Sequence, residues 1–181
     1  PATPAETQGG NVAAIDPGIR TFATVYDVGR ERVVEWGMQG GRKDGTGKGT
    51  ELLGWLTRKV GRLERAARRT HGRHRRRIRR LANRIRQRIK DLVAEMHHKL
   101  ALWLCREYEV VLLPKFSARG VSRRRRGRVL ASNSVRKLMQ MSPFSFRQFL
   151  LHKAREHGTR VILCDEHHTS KTCTACGMLN H

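Results

Sequence analysis

Two places in the sequence combine residue type and spacing that suit chemistry. The first is Asp16, which ends the apolar run 11–16 (NVAAID) directly before Pro17-Gly18. A carboxylate there is anchored by a strand, while the turn leaves its tip open to solvent and to metal. Two-metal phosphodiester hydrolysis needs several such carboxylates converging on ions about 3.5–4 Å apart. An Asp before Pro-Gly is also an ordinary turn former. The basic context and the order of strands described below favour the catalytic reading.

The second place is the C-x-x-C-Gly at Cys173, Cys176 and Gly177, in a polar stretch. Two thiolates at that spacing form one knuckle of a tetrahedral zinc site, and a second pair of ligands is expected a short distance on. The redox alternative needs the pair at a helix start after a strand, so zinc is the favoured reading. His167 and His168 are neighbours and suit loop or nucleic-acid contacts better than a shared ion. Cys105 and Cys164 read as small buried hydrophobes, one in a helical run and one ending an apolar strand. No disulfide framework is expected.

Charge says what such chemistry would act on. Thirty-eight Lys and Arg against fifteen Asp and Glu leave a net charge of +23 over 181 residues. A domain carrying that much charge of one sign repels itself unless a polyanion shares its surface. Arg outnumbers Lys, and guanidinium pairs with phosphate through two parallel hydrogen bonds and stacks on bases. Nucleic acid is therefore the expected partner. An anionic membrane surface would call for a basic helix with an aromatic opposite face, and only 6% of residues are aromatic. No apolar run approaches the roughly 18–20 residues of a membrane span, and the N-terminus lacks a secretory pattern.

The elements that must position these groups follow from periodicity. Residues 1–10 (PATPAETQGG) read as a linker. Apolar runs at 11–16, 21–26 and 32–36, separated by tight turns, predict an antiparallel meander. Residues 37–50 are glycine-rich and aperiodic. From residue 51 the period becomes helical, through Leu52, Leu53, Leu56, Val60 and Leu63, with a break at 70–72. A second stripe follows at Ile78, Leu81, Ile85, Ile89, Leu92, Met96, Leu100 and Trp103. Arg75, Arg76, Arg77, Arg79, Arg80, Arg84, Arg86 and Arg88 cover most of its remaining surface, too densely for solubility alone. Residues 109–113 (EVVLL) predict a strand stopped by Pro114. A loop carrying Arg123, Arg124, Arg125 and Arg126 comes next. Residues 134–156 predict a helix, broken near Ser142-Pro143, and 159–164 a last strand. This order predicts an α/β domain of RNase H-like fold over 11–166, with a basic helical insertion at about 51–105. Residues 167–181 would be the first half of a zinc ribbon.

Several segments resemble one family. Residues 14–24 (AIDPGIRTFAT) resemble the opening of the RuvC-type nuclease domain of TnpB and Fanzor proteins. Residues 97–99 (HHK) resemble a segment of the same domain, and 151–158 (LHKAREHG), 161–164 (VILC) and 169–177 (TSKTCTACG) resemble its run into a zinc ribbon. The chain is thus similar to transposon-associated, RNA-guided DNA endonucleases. The resemblance implies guide RNA and target DNA as partners, two Mg²⁺ ions at the nuclease centre, and Zn²⁺ at Cys173 and Cys176. Many members carry a catalytic Glu after the fourth strand. Here that strand ends 112–116 (LLPKF), which resembles the Fanzor-like branch, where the Glu lies before the TSKTC motif. That position is Glu166, with Asp165 its neighbouring rival. The third carboxylate of the family follows the ribbon, beyond His181, so a weak or inactive nuclease is expected from the chain alone.

Asp16 and Glu166 are thus the expected catalytic and magnesium-binding residues. Arg75, Arg76, Arg77, Arg79, Arg80, Arg84 and Arg88, with the 123–126 cluster, are expected to hold phosphates without reading sequence. The rivals are an inactive transposon-derived RNA- and DNA-binding protein, a guide-independent junction resolvase, and a chromatin-like basic binder. The last leaves Asp16 and the cysteine pair unexplained. The 123–126 run also fits a nuclear import signal, which suits a eukaryotic member; otherwise the cytoplasm or nucleoid is expected.

Overall fold

The computed structural model describes residues 11–18, 21–37, 48–115 and 138–165, together with Cys176 and Met178. Three strands open the chain: β1 (Val12–Pro17), β2 (Ala23–Asp27) and β3 (Arg32–Trp36). Two helices follow, α1 (Lys48–Arg68) and α2 (Gly72–Glu107). Then come β4 (Val110–Pro114), α3 (Pro143–His157) and β5 (Arg160–Cys164). The five strands form one mixed sheet in the order β3-β2-β1-β4-β5. β1–β2 and β2–β3 are antiparallel, whereas β1–β4 and β4–β5 are parallel. The expected meander is present, and all five expected strands lie within two residues of their predicted bounds.

Side-chain alternation decides which face of the sheet meets the helices. Ala13, Ile15, Ala23, Val25, Val111 and Leu113 are buried on one face. Against them pack Leu100, Ala101 and Leu104 of α2 and Phe146, Leu150 and Ala154 of α3. α2 is 36 residues long, about 54 Å at the usual helical rise, and works in two halves. Its C-terminal half lies in the sheet's core. Its N-terminal half leaves the sheet and pairs with α1, burying Ala82, Ile85, Ile89 and Val93 beside Leu53, Leu56 and Val60. The Arg86 guanidinium bridges this pair to Glu64 and also reaches Asn83 Oδ1 at 2.5 Å.

The buried stripe of α2 runs through Ala82, Ile85, Ile89, Val93, His97, Leu100 and Leu104 rather than along the expected line. Leu81 is 41% exposed, and Ile78, Leu92, Met96 and Trp103 are half-buried. A small Ala and a His occupy core positions that a search for large apolar residues passes over. Cys105 is buried as expected, and burial pushes its thiol pKa up, so it stays protonated. Cys164 is only half-buried, because β5 is the edge strand among the described residues.

His97 ties α2 to the turn before α3. Its Nε2 donates to the Met141 carbonyl at 2.9 Å, and its ring lies 5.0 Å from Phe22 and 5.5 Å from Phe146. Burial lowers its pKa from 6.5, outweighing the Met141 carbonyl, which raises it, and nearby His98 lowers it further. The folded state therefore holds the neutral ring. Stability is complete above pH 6.5 and falls as the pH drops toward the folded-state value, because the unfolded chain takes up the proton first. A Tm series from pH 7.5 down to 5 should show this decline, and His97→Gln should flatten it.

Candidate metal centre and nucleic-acid interface

Asp16 is the last-but-one residue of β1 and is exposed. Its cross-strand neighbour on β2 is Thr24. The chain closes behind it through Gly18 N–H donating to the Phe22 carbonyl at 3.1 Å. A Cβ on Gly18 would stand 2.8 Å from the Thr21 carbonyl oxygen, so any side chain there displaces the turn that presents Asp16. On the other side, Val12–Ala14 pair in register with Val110–Leu112 of β4. Continuing that register by two residues sets Asp16 level with Pro114, which pairs with Cys164 of β5. Asp16 thus stands at the C-terminal ends of three parallel strands, on the face opposite the buried Ile15. Crevices at the carboxyl ends of parallel strands are the usual place for a ligand site in such sheets.

The other expected groups divide. β4 ends in Pro114 and Lys115 with no carboxylate. Asp165 directly follows β5, about two strand spacings (~10 Å) from Asp16, and its Oδ2 accepts from Lys115 Nζ at 2.7 Å. Glu166, Cys173, and Arg123, Arg124, Arg125 and Arg126 lie outside the described residues, as do His167 and His168. Cys176 is an exposed free thiol. Among the described residues no group of three His, Cys, Asp or Glu gathers around one point. Asp16 offers the hard oxygen that Mg²⁺ takes, but the described residues do not themselves complete a cage.

The arginine array is well described. Arg76, Arg77, Arg79, Arg80, Arg84 and Arg88 are exposed and Arg75 is half-buried. Arg73, Arg77, Arg80, Arg84 and Arg88 recur at steps of three and four, so they share one side of α2 over about 22 Å of helix. Arg73, Arg77, Arg80 and Arg84, with Arg76, flank a surface depression that also contains Ile78 and Leu81. No Asp or Glu occurs between Glu64 and Asp91. Arg76, Arg77, Arg79, Arg80 and Arg84 make no ion pair among the described residues. Only Arg86 is consumed internally, by Glu64. Guanidinium groups in a row with no carboxylate beside them repel one another and suit a polyanion.

Sequence reasoning missed the network at the opposite end of the sheet. Asp27 is 1% exposed and accepts from Arg30 N–H at 3.1 Å, Arg30 NH1 at 3.1 Å, Arg32 Nε at 3.2 Å and Tyr108 Oη at 3.0 Å. An Asp followed by Val-Gly-Arg reads as a turn residue. Its partner Tyr108 is 81 residues away, and nothing local announces that pairing.

Comparison with known proteins accords with this arrangement. Residues 144–181 match the Cas12f1-like TNB domain, and residues 1–111 match OrfB_IS605, described as a probable transposase. Over 99% of its length the chain has the fold of part of Cas12f1 in a cryo-EM structure of a Cas12f1–sgRNA–target DNA complex. The TM-score is 0.54 at 15% identity, and 41% of that chain is covered. The fold is thus a mixed α/β sheet of the Cas12f1 kind. The chain itself belongs to the OrfB_IS605 probable-transposase family, that of the TnpB proteins. TnpB-like proteins L79 and L770 of Acanthamoeba polyphaga mimivirus are each 26% identical to it over 180 residues. That match takes in 93% of this chain and 31% of each relative, so the chain spans about a third of their length.

Proposed function

We propose that this chain is the nuclease core of an RNA-guided DNA endonuclease, of RNase H-like (RuvC) fold. The observation that carries the reading is the placement of Asp16 at the parallel strand ends, beside a sheet ordered β3-β2-β1-β4-β5. That strand order, with an antiparallel meander leading into parallel β4 and β5, supports the RNase H-like assignment. Membership of the TnpB family and a fold shared with a protein solved on sgRNA and target DNA support guide RNA and DNA as partners. Among the described residues no helix is long and apolar enough to cross a membrane.

In this reading Asp16 and Glu166 hold the magnesium ions. When bound, these would stabilise charge on the attacked phosphoryl group and lower the pKa of the attacking water. Asp16 contributes a fixed anionic oxygen, set by the β1–β2 turn and the Thr24 register. Lys115 contributes a cation beside Asp165 that neutralises a rival carboxylate and leaves Glu166 to the metal. The LLPKF ending of β4 supports the relocated glutamate of the Fanzor-like branch. Zinc held by Cys173 and Cys176 would fold the segment after β5. The 123–126 arginines would add phosphate contacts and, in a eukaryotic cell, serve nuclear import.

The arginine row of α2 contacts backbone phosphates without reading bases. Replacing Arg76, Arg77, Arg80 and Arg84 together by Ala should weaken binding of an RNA–DNA hybrid by about 10²-fold at moderate salt. It should also reduce the slope of log K against log salt by about 3, at roughly 0.7–0.9 per phosphate contact. Fluorescence anisotropy across a salt series measures both. An unchanged slope would place the nucleic acid elsewhere.

A second reading, an inactive nucleic-acid-binding protein, is favoured by one observation: β4 ends without a carboxylate and Lys115 occupies Asp165. Mg²⁺-dependent cleavage of guide-matched DNA by the RNA-bound protein decides between the two. Cleavage lost in both Asp16→Ala and Glu166→Ala, with RNA retained, establishes the nuclease. Binding without cleavage by the unaltered protein establishes the inactive binder.

A further inference from the structure

An exposed aromatic ring at the strand ends that carry Asp16 is left unused by the chemistry above. Phe144, in the first turn of α3, is 56% exposed, although Phe146 and Leu150 already anchor that helix. The guanidinium of Arg147 lies over its ring, 5.0 Å from the centroid. Arg147 Nε is buried and donates to no acceptor, so stacking on the ring, not hydrogen bonding, is the interaction seen for this side chain. The two residues line one hollow with Ile15, Pro17, Phe22 and Pro114. Pro17 follows Asp16 in the chain, and Pro114 is level with Asp16 across the β1–β4 register. The ring therefore stands at the same strand ends as the carboxylate, on the side of the sheet that carries Ile15, so that a strand reaching both crosses the rim of the sheet.

An exposed phenyl face backed by a cation is a surface for an unpaired base. Every base has a π-face, so stacking tolerates sequence, and a neighbouring guanidinium adds attraction to the nucleotide. Phosphate contacts on α2 can hold a strand but cannot fix which phosphodiester faces Asp16, because they slide along a uniform backbone. A stacked base at the rim fixes that register. We propose that Phe144, backed by Arg147, stacks one unpaired base of the DNA strand presented to Asp16. Phe144 is then a positioning residue for the strand to be cut. This inference rests on the nuclease reading above and deepens it.

The test uses the chain with two probes: a thymidine dodecamer, and the same backbone with every base removed. The unaltered chain should bind the base-bearing strand about tenfold more tightly than the abasic one, and ultraviolet irradiation should cross-link thymine to the peptide containing Phe144. Phe144→Leu keeps apolar bulk at an exposed position, so its Tm should stay within a degree or two. It should lose the preference and the cross-link, while Phe144→Tyr should retain both. If Phe144→Leu binds both probes as the unaltered chain does, or if its Tm falls sharply, the stacking role is overturned while the nuclease reading stands. If neither probe binds in a salt-dependent manner, the nucleic-acid reading and the stacking role fail together.

Discussion

Replacing Asp16 by Ala should lower the rate of Mg²⁺-dependent cleavage of guide-matched DNA by about 10³-fold or more, with guide RNA still bound. The magnitude follows from what the carboxylate is asked to do. In the proposed function this carboxylate would help to hold a divalent cation, whose stabilisation of developing charge is worth several kcal/mol. Each ~1.4 kcal/mol of that is a factor of ten in rate. Asp16 is exposed and its side chain makes no hydrogen bond or ion pair among the described residues, so the substitution should leave the Tm nearly unchanged. Single-turnover cleavage and thermal unfolding, measured on the same preparation, separate the two effects. A mutant that cleaves within tenfold of the unaltered protein would move the metal ligand elsewhere. Asp165 is the first alternative, and Lys115→Ala, which removes the Lys115 Nζ contact to its Oδ2, the companion experiment.

The second large effect concerns stability alone. Asp27→Ala should lower the Tm on the order of 10 °C, because it strips the shared acceptor from Arg30, Arg32 and the buried Tyr108 hydroxyl in one step. Burial by itself raises the Asp27 pKa. Donation from the Arg30 N–H, the Tyr108 hydroxyl and the Arg30 and Arg32 guanidinium groups outweighs it, and the carboxyl is held below its ordinary value of 3.8. The stabilisation is therefore present above pH 3.8 and is lost as the pH falls through the folded-state value. Asp27→Asn, which keeps the shape and removes the charge, should flatten the acid limb of a Tm-against-pH curve relative to the unaltered chain. Equal acid limbs in the two proteins would show that the network is electrostatically idle.

The two effects lie at opposite ends of one sheet, and this separation is what allows them to be measured independently. The Asp27 network clamps the β2–β3 turn to the residue that follows α2. The His97–Met141 contact fixes the turn that starts α3. Between them the sheet's buried face is held against both helices, and the strand ends carrying Asp16 are presented as a rigid edge.

Much of this was legible in the residues. Alternating apolar runs broken by Pro-Gly and Gly-rich turns determined five strands, and three-four spacing determined the long helices, because both periods follow from local backbone geometry. The glycine and proline at 17–18 placed the β1–β2 turn, and the charge of +23 set the expectation of a polyanionic partner. Asp16 as a strand-end carboxylate was readable for the same reason.

Other features were decided only when distant segments met. Which side of α2 is buried depends on two different neighbours, α1 along its first half and the sheet along its second, so the buried line passes through Ala82 and His97. The pairing of Asp27 with Tyr108 spans 81 residues and has no local signature. Lys115 and Asp165 are joined because β4 and β5 end side by side, 50 residues apart in the chain. Phe144 looked like one more apolar residue of a helix. Packing instead turned Phe146 inward and left Phe144 exposed at the strand-end rim near Pro17, since a helix has only one side to bury and residues two apart cannot share it.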